Sequence, residues 1–450
     1  VAPGFENYGS TIANVRQFAR DFKNHPMRIL HTSDWHLGQT LHQFDRQHEH
    51  ACFLAWLLDT LVAEQVDALL IPGDVFDNAN PSAATQKQLY TFLTQARQRV
   101  PHLNIVMTAG NHDSPGRLEA PAPFLALINA CVIGQVGQAG PGNETADIER
   151  LVVPLKRQDG SVAAWCIAMP FLRTSDVPRV EGAKDAFDAG VTALYARAFD
   201  LASHKRQPDQ AIVALGHCHL SGGKISETSE RNILIGGAEA LSSSIFAPQI
   251  AYVALGHLHL AQQVAGDATR RYCGSPIPMS FAEINYPHQV VIVDLVGDKV
   301  KAIRPLAVPL SVALLRVPKQ PAVLKEVLAA LHALELTDAV DGEAVEGEAA
   351  WPYLQVRVLL TQPEPNLRAQ IDAALAGKPV RLARIETSYN KALFPAAAAA
   401  ASIDDLNALA PVDFFSSLYQ HRFNQSPPPD LLLAFNELLN ISPDTATPAP

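Results

Sequence analysis

Arg28-Ile-Leu-His-Thr-Ser-Asp-Trp-His-Leu-Gly38 is the stretch on which the rest of the chain depends. It reads as a short apolar strand that runs straight into an Asp34-x-His36 pair and stops at a glycine. A strand ending in a tight glycine turn holds two metal-binding side chains on a rigid base. Such a place, at the strand edge, is where open α/β sheets bind ligands. Asp-x-His alone is common, so its weight comes from recurrence. Gly73-Asp74, Gly110-Asn-His-Asp113, Gly216-His217 and Gly256-His-Leu-His259 repeat the pattern of apolar strand, glycine and ligand-type side chain. At each turn a glycine points to a positive φ or a close backbone approach.

Outward from that stretch, residues 28–170 alternate strand and helix. Strands are expected at Val66–Pro72 and Leu103–Ala109, and helices over about 46–65 and from Pro81 to about Arg99, since proline suits a first helical turn. This rhythm predicts a largely parallel sheet with helices on its faces. From Ile148 onward strands dominate, with a helix over Ala186–His204. Further strands are expected at Ala211–Leu215, Asn232–Ile235, Ala251–Leu255, Arg270–Cys273 and Gln289–Leu295. The predicted fold is α/β, a two-layer β-sheet sandwich flanked by helices over residues 27–308. A small α+β cap over 309–390 follows, with strands Val312–Val317, Tyr353–Leu360 and Val380–Ile385, helices Ala322–Leu334 and Asn366–Leu375, and a solvated acidic loop from Asp338 to Glu348. An Ala-rich linker spans 391–410. In 411–441, Val412, Phe415, Tyr419 and Phe423, then Leu431 and Phe435, fall at helical spacing and predict two apolar-faced helices that need something to pack on, the chain's own core or a partner. Residues 442–450 read as an unstructured tail, and 1–26, ahead of Met27, as an extension outside the fold.

Composition narrows the function classes. At 450 residues, 48% of them hydrophobic and 18% charged, the chain has ample core for two or three domains. Its five cysteines form no C-x-x-C pair, which suits a reducing, cytoplasmic setting. No apolar run approaches the roughly 18 residues of a membrane span, and residues 1–26 lack the apolar core of a signal peptide. The net charge of −10 disfavours nonspecific binding of nucleic acid, yet says little about a local groove.

The ligand types define the chemistry. Carboxylate, imidazole and amide oxygen suit divalent ions such as Mn²⁺, Fe²⁺ or Zn²⁺, and the lack of thiolates disfavours a structural zinc site. Eight candidate side chains are too many for one ion. Two ions about 3.5–4 Å apart need a bridging carboxylate and suit in-line attack on phosphorus, for which a phosphodiester is the natural target. One further histidine then serves the leaving group.

In this order the five motifs resemble the calcineurin-like metallophosphoesterase superfamily. The longer wording is narrower. His31-Thr-Ser-Asp-Trp-His-Leu-Gly38, Gly73-Asp-Val-Phe-Asp77, Ala109-Gly-Asn-His-Asp-Ser114, Ala254-Leu-Gly-His-Leu-His259 and Tyr272-Cys-Gly-Ser-Pro-Ile-Pro278 are similar to the SbcD family of bacterial nuclease subunits. The resemblance covers about residues 27–308 and, more loosely, the cap and tail. It implies a Mn²⁺-dependent, two-metal DNA nuclease, a double-strand exonuclease and single-strand or hairpin endonuclease. Such a subunit works with an SbcC-type ATPase in DNA repair, recombination and replication, as a homodimer within a heterotetramer on nucleoid DNA. By position, Asp34, His36 and His259 would hold one ion, Asn111, His217 and His257 the other, and Asp74 would bridge. His112 would serve the leaving oxygen, with Asp113 orienting it by a hydrogen bond. The cap would help choose DNA, for which Arg368, Lys378, Arg381, Arg384 and Lys391 are candidates, and the tail helices would bind the ATPase.

Plainer roles stand beside these. His31, His42, His48, His50 and Trp35 are expected to be surface or packing residues, His219 a neighbour of the fourth motif, which requires only His217, and Cys218 a small buried filler. The alternative function is a small-substrate metal-dependent phosphodiesterase or phosphatase of the same fold. Its phosphatase form favours an arginine shortly after Gly73-Asp74, where Asp77-Asn78 stands. A third class, a non-catalytic metal-bearing scaffold, is disfavoured by the presence of all seven ligand-type residues together with His112.

Overall fold

The computed structural model describes residues 26–137, 146–223, 240–335, 347–361 and 364–389, with scattered positions between 412 and 435. The chain runs β1 (Met27–His31), α1 (Gln47–Ala63), β2 (Ala68–Pro72), α2 (Ala83–Arg99), β3 (Asn104–Thr108) and β4 (Ala130–Ile133). Then come β5 (Val152–Lys156), β6 (Val162–Ala168), α3 (Ala186–Lys205), β7 (Ala211–His217), β8 (Tyr252–Gly256), β9 (Gln262–Val264) and β10 (Asp267–Tyr272). The hairpin β11 (Gln289–Val296) and β12 (Lys299–Ala307) closes this part.

Two six-stranded sheets result, ordered β12-β11-β1-β2-β3-β4 and β9-β10-β8-β7-β6-β5. In the first, β1 to β4 are parallel and β11 returns antiparallel beside β1. In the second, β6, β7, β8 and β10 are parallel. Alternation along each strand explains the continuous apolar runs. Ile29, Ala68, Leu70, Val291 and Val293 face the core between the sheets. Their neighbours Leu30, Leu69, Ile71, Val290 and Ile292 face the core under α1 and α2. Strands covered on both faces need apolar residues at every position. The two-layer expectation is met. At α2 the boundary differs, because Ser82 is the N-cap, its hydroxyl accepting from Thr85 N at 3.1 Å, so Pro81 lies before the cap and not in the first turn.

The cap strands and helices are β13 (Leu314–Val323), α4 (Leu324–His332), β14 (Tyr353–Leu360), α5 (Leu367–Ala374) and β15 (Arg381–Tyr389), with the sheet order β13-β14-β15, all parallel. Leu354, Val356, Val358 and Leu360 of the central strand share one core with Val327, Leu331 and Ile371 of the helices. A smaller cluster of Leu41, Phe281, Val312, Leu314 and Tyr353 joins cap to main sheets. In the tail, Phe415 stacks on Phe435 at 4.2 Å and 10°, so the apolar residues of the two helical segments meet each other, with Tyr419 beside Phe415 and Val412 half-buried. Leu431 is exposed. The extension over 1–25, the strand expected at Asn232–Ile235, acidic residues 338–346, the linker, Lys391, Phe423 and the tail beyond 441 lie outside the described residues.

The plainer roles of several residues are visible here. Trp35 is fully buried, donates from Nε1 to Thr32 Oγ1 at 3.0 Å and packs edge-on to Phe53 and Phe92. His31 lies in the interior against Tyr252, while His42 is exposed and His48 half-buried beside Cys52. His50 is buried in α1, and burial, with the Arg46 charge beside it, pushes its pKa down to about 3. His31 is likewise pushed down to about 3 by burial. Both stay neutral in the folded chain while an unfolded histidine protonates near 6.5, so each withdraws stability as pH falls from there toward 3 and contributes nothing above it. The expected outcome for His50→Leu is that the loss of unfolding free energy between pH 7 and pH 5, read from urea melts, shrinks by about 2 kcal/mol. An unchanged pH slope would show that His50 is not held neutral.

Candidate metal centre

All five motifs sit at the carboxyl ends of parallel strands, three from the first sheet (after β1, β2 and β3) and two from the second (at the end of β7 and after β8). Glycines let the loops close up there, both between the two sheets and between neighbouring strands of the first. A Cβ on Gly110 would fall on Asp74, one on Gly73 on the His217 ring, and one on Gly256 on the Pro72 carbonyl. Only Gly73 of these three needs a positive φ, at 85°. The strain falls on the functional residues themselves. Asp34 (φ 54), His36 (46), Asp74 (48) and His257 (99) all occupy the left-handed region. Non-glycine residues there cost about 1–3 kcal/mol each and persist where the surroundings over-determine them.

Asp34, His36 and His259 bring one ligand atom each within 4.8 Å of one another, and so do Asp34, Asp74 and His217. Asp34 thus reaches both groups, where the sequence reading placed it in one. Asn111 Oδ1 lies 2.9 Å from His217 Nε2 and 3.0 Å from His257 Nδ1, completing the second group. Asp74 sits between, 3.6 Å from His36 Nε2 and 3.4 Å from His217 Nε2. All but Asn111 are buried.

The surrounding bonds assign the imidazole tautomers, because a carbonyl only accepts. His217 Nδ1 donates to the Pro72 carbonyl at 2.9 Å, so its Nε2 turns to Asn111 and Asp74. His259 Nδ1 pairs with Glu283 Oε1 at 2.9 Å, the carboxylate–histidine arrangement that suits the other ring nitrogen to bind a cation. His36 Nε2 is buried with no hydrogen-bond partner among the described residues. A buried imidazole nitrogen lacking a partner and facing carboxylates fits a cation ligand. The nearby thiols do not compete. Burial pushes Cys218 up to about 12, and Cys273 Sγ lies 3.0 Å from Ser33 Oγ.

Electrostatics follow the same packing. Burial opposes charge on Asp74, but His217, His36 and His112 outweigh it and hold the carboxyl well below its usual range. Burial likewise opposes a proton on His217, and Asp74 outweighs it in the other direction, raising the imidazole. His257 is pushed down to about 3 by burial and by His217.

His112 and Asp113 correct one expectation. The Asp113 carboxylate accepts three backbone N–H groups, from Val75 (3.1 Å), Phe76 (2.9 Å) and Gly110 (2.9 Å), and so ties the Gly73 loop to the Gly110 loop. The bond that orients the His112 ring runs instead from Nδ1 to the Asp77 carbonyl, at 2.7 Å. In the sequence Asp77 stands out only as part of a motif, and Glu283 does not stand out at all. Asp77 Oδ1 is also 3.3 Å from His36 Nδ1, so one residue steadies two imidazoles. A buried acid in Ser280-Phe-Ala-Glu283 carries no ligand spacing, so only three dimensions identify it. His219 is half-buried beside His257.

The cap cations separate. Arg384 is exposed, and Arg368 is exposed and paired with Asp372. Two further candidates make bonds within the protein. Lys378 Nζ donates to the carbonyls of His332 and Leu334, closing the end of α4. Arg381 is buried over the Tyr353 ring, 3.8 Å from its centroid, and bonds the Trp351 carbonyl.

Comparison with known proteins agrees with this architecture. The family model described as calcineurin-like phosphoesterase matches residues 27–261, and one described as type 5 capsule protein repressor C-terminal domain matches 311–423. The SbcD subunit of the SbcCD nuclease from Rhodobacter capsulatus is 39% identical over 399 residues, covering 87% of this chain and 94% of the relative. Its counterparts from Escherichia coli (35% identical, 68% and 73% covered) and Bacillus subtilis (36%, 60% and 66% covered) are also similar.

Removing the Asp77 carboxylate leaves His36 without the partner that turns Nε2 inward. Asp77→Ala is expected to weaken divalent metal binding about 10- to 100-fold by calorimetry; wild-type affinity would show that the carboxylate does not orient His36.

Proposed function

This chain belongs to the calcineurin-like phosphoesterase family and, within it, to the SbcD nuclease subunits, and from that membership we propose that it is a Mn²⁺-dependent DNA nuclease. In this reading it cuts duplex ends as an exonuclease and single strands or hairpins as an endonuclease, working with an SbcC-type ATPase in repair, recombination and replication. The observation that carries the reading is the extent of the likeness. Similarity to the Rhodobacter relative covers 87% of the chain, and a second family model takes in the cap and the start of the tail, to residue 423, parts that a hydrolase of small esters does not need.

Asp34, His36 and His259 would hold one ion, and Asn111, His217 and His257 the other, with Asp74 between them. Bound as a pair, the ions supply Lewis acidity toward the phosphodiester and an activated water. The chain's own part is positional. Asp113 keeps the two loops in register, and Asp77 fixes the His112 tautomer so that Nε2 exchanges the proton with the leaving oxygen. Exposed Arg384 and Arg368 remain candidates for phosphate contact, and the paired tail helices for the ATPase. Phe124 and Leu127, 75% and 82% exposed just beyond the Gly110 motif, suit self-association into the homodimer of a heterotetramer.

The deciding experiment is cleavage of linear and hairpin DNA with Mn²⁺ and with Mg²⁺, beside a chromogenic phosphodiester, using His112→Leu as control. Mn²⁺-dependent DNA cutting is expected in the wild type and lost in the variant, which keeps its metal content. Turnover of the small ester with DNA intact, even with SbcC and ATP present, would favour the phosphodiesterase reading. Separately, Phe124→Asp with Leu127→Asp is expected to shift the chain to a monomer in sedimentation, and an unaltered dimer would place the interface elsewhere.

A further inference from the structure

A largely buried chain of hydrogen bonds, with Gln39 its half-buried member, links the cap to His36 and His259 of the candidate metal centre. Tyr353, the first residue of β14, is fully buried, and its hydroxyl donates to Glu49 Oε1 at 2.8 Å. Glu49 grips Arg46 with both oxygens, at 2.8 Å to Nε and 2.5 Å to Nη2. Arg46, with no exposed surface, donates from Nη1 to Gln39 Oε1 (2.7 Å) and to the Pro278 carbonyl (2.6 Å).

From Arg46 two branches reach the same group. The Gln39 backbone N–H donates to the His36 carbonyl at 2.9 Å, while its side chain donates to the Met279 carbonyl at 2.9 Å. The Met279 N–H donates to Glu283 Oε2 at 2.8 Å, and Glu283 Oε1 takes the Nδ1 hydrogen of His259. A second cap residue, Arg316, grips the same loop through the Phe281 carbonyl at 2.6 Å. The other half of the centre is held from within the main sheets, His217 by the Pro72 carbonyl and the His257 N–H by Asp34 Oδ1 at 2.9 Å.

Where such links are buried, a donor that loses its partner finds no replacement, so displacement at one end is resisted along the buried links. We infer that the cap sets the geometry of the Asp34–His36–His259 half of the centre through this relay, with Glu283 as the positioning residue for His259. The inference rests on the two-ion reading. Its consequence is an asymmetry: a change at the cap junction weakens the ion held by His36 and His259 more than the other, because the relay ends on those two residues while Asp34 is shared by both groups.

Mn²⁺ titration into the metal-free full chain, by calorimetry with electron paramagnetic resonance of the bound ions, tests this. Asn111→Ala identifies which ion belongs to the far half. Glu283→Gln is expected to weaken the near ion about 10- to 100-fold, and Tyr353→Phe, which removes one oxygen at the cap, to weaken the same ion about threefold or more. Unchanged binding in Tyr353→Phe, or equal weakening of both ions, overturns the relay. A wild-type chain that binds fewer than two ions overturns the two-ion reading itself, and the relay with it.

Discussion

The close approach of five strand ends is the constraint on which the rest of the structure depends. Two sheets can meet at their carboxyl edges only where side chains are missing. Gly73 and Gly256 supply those gaps against His217 and the Pro72 carbonyl, and Gly110 lets its loop close on Asp74, beyond the neighbouring strand of the same sheet. Once the backbones are that close, the residues that follow the glycines are forced inward, and four of the ligand-type residues take left-handed backbone conformations. Aspartate and histidine tolerate that region better than most side chains. Residue types that bind metal are therefore also types that bear the local strain.

Burial then decides the electrostatics. Asp34, Asp74, His217, His257 and His259 are almost wholly removed from water. A buried carboxylate is costly unless charges or hydrogen bonds compensate it. Asp74 is compensated by three imidazoles, and Asp113 by three backbone N–H groups from the loops it joins. Asp113 nonetheless stays raised to about 6, because burial and the Asp74 charge outweigh those bonds. The contrast between two neighbouring aspartates follows from their partners, imidazoles for Asp74 and backbone amides together with the Asp74 charge for Asp113.

The cap is more than an appended unit. Its junction joins the apolar cluster around Phe281 and Tyr353 to the buried Arg46–Glu49 pair. Breaking such a pair is expensive even where forming it stabilises little, so the junction favours one arrangement of cap and sheets. That arrangement engages Arg381 at the junction, and Lys378 is likewise taken up, at the end of α4. Basic residues that looked available on the cap are in part structural.

What the sequence determined by itself is local and periodic. Apolar runs marked the strands, glycines marked the close approaches, and the five motifs named the ligand-type side chains, because ligand chemistry and backbone sterics restrict residue choice at fixed short spacings. Alternation along Leu354, Val356, Val358 and Leu360 likewise marked the core face of the central cap strand. Only the tertiary structure decided which residues steady those ligands. Glu283 reaches His259 across 24 positions, Asp77 turns its carbonyl to His112 across 35, and Tyr353 meets Glu49 across 304. A hydrogen bond depends on distance and angle in space, and partners so far apart leave no periodic mark in one chain. The same reason moved Asp113 from His112 to the backbone and Arg381 from surface to junction: side-chain type was legible, and its partner was not.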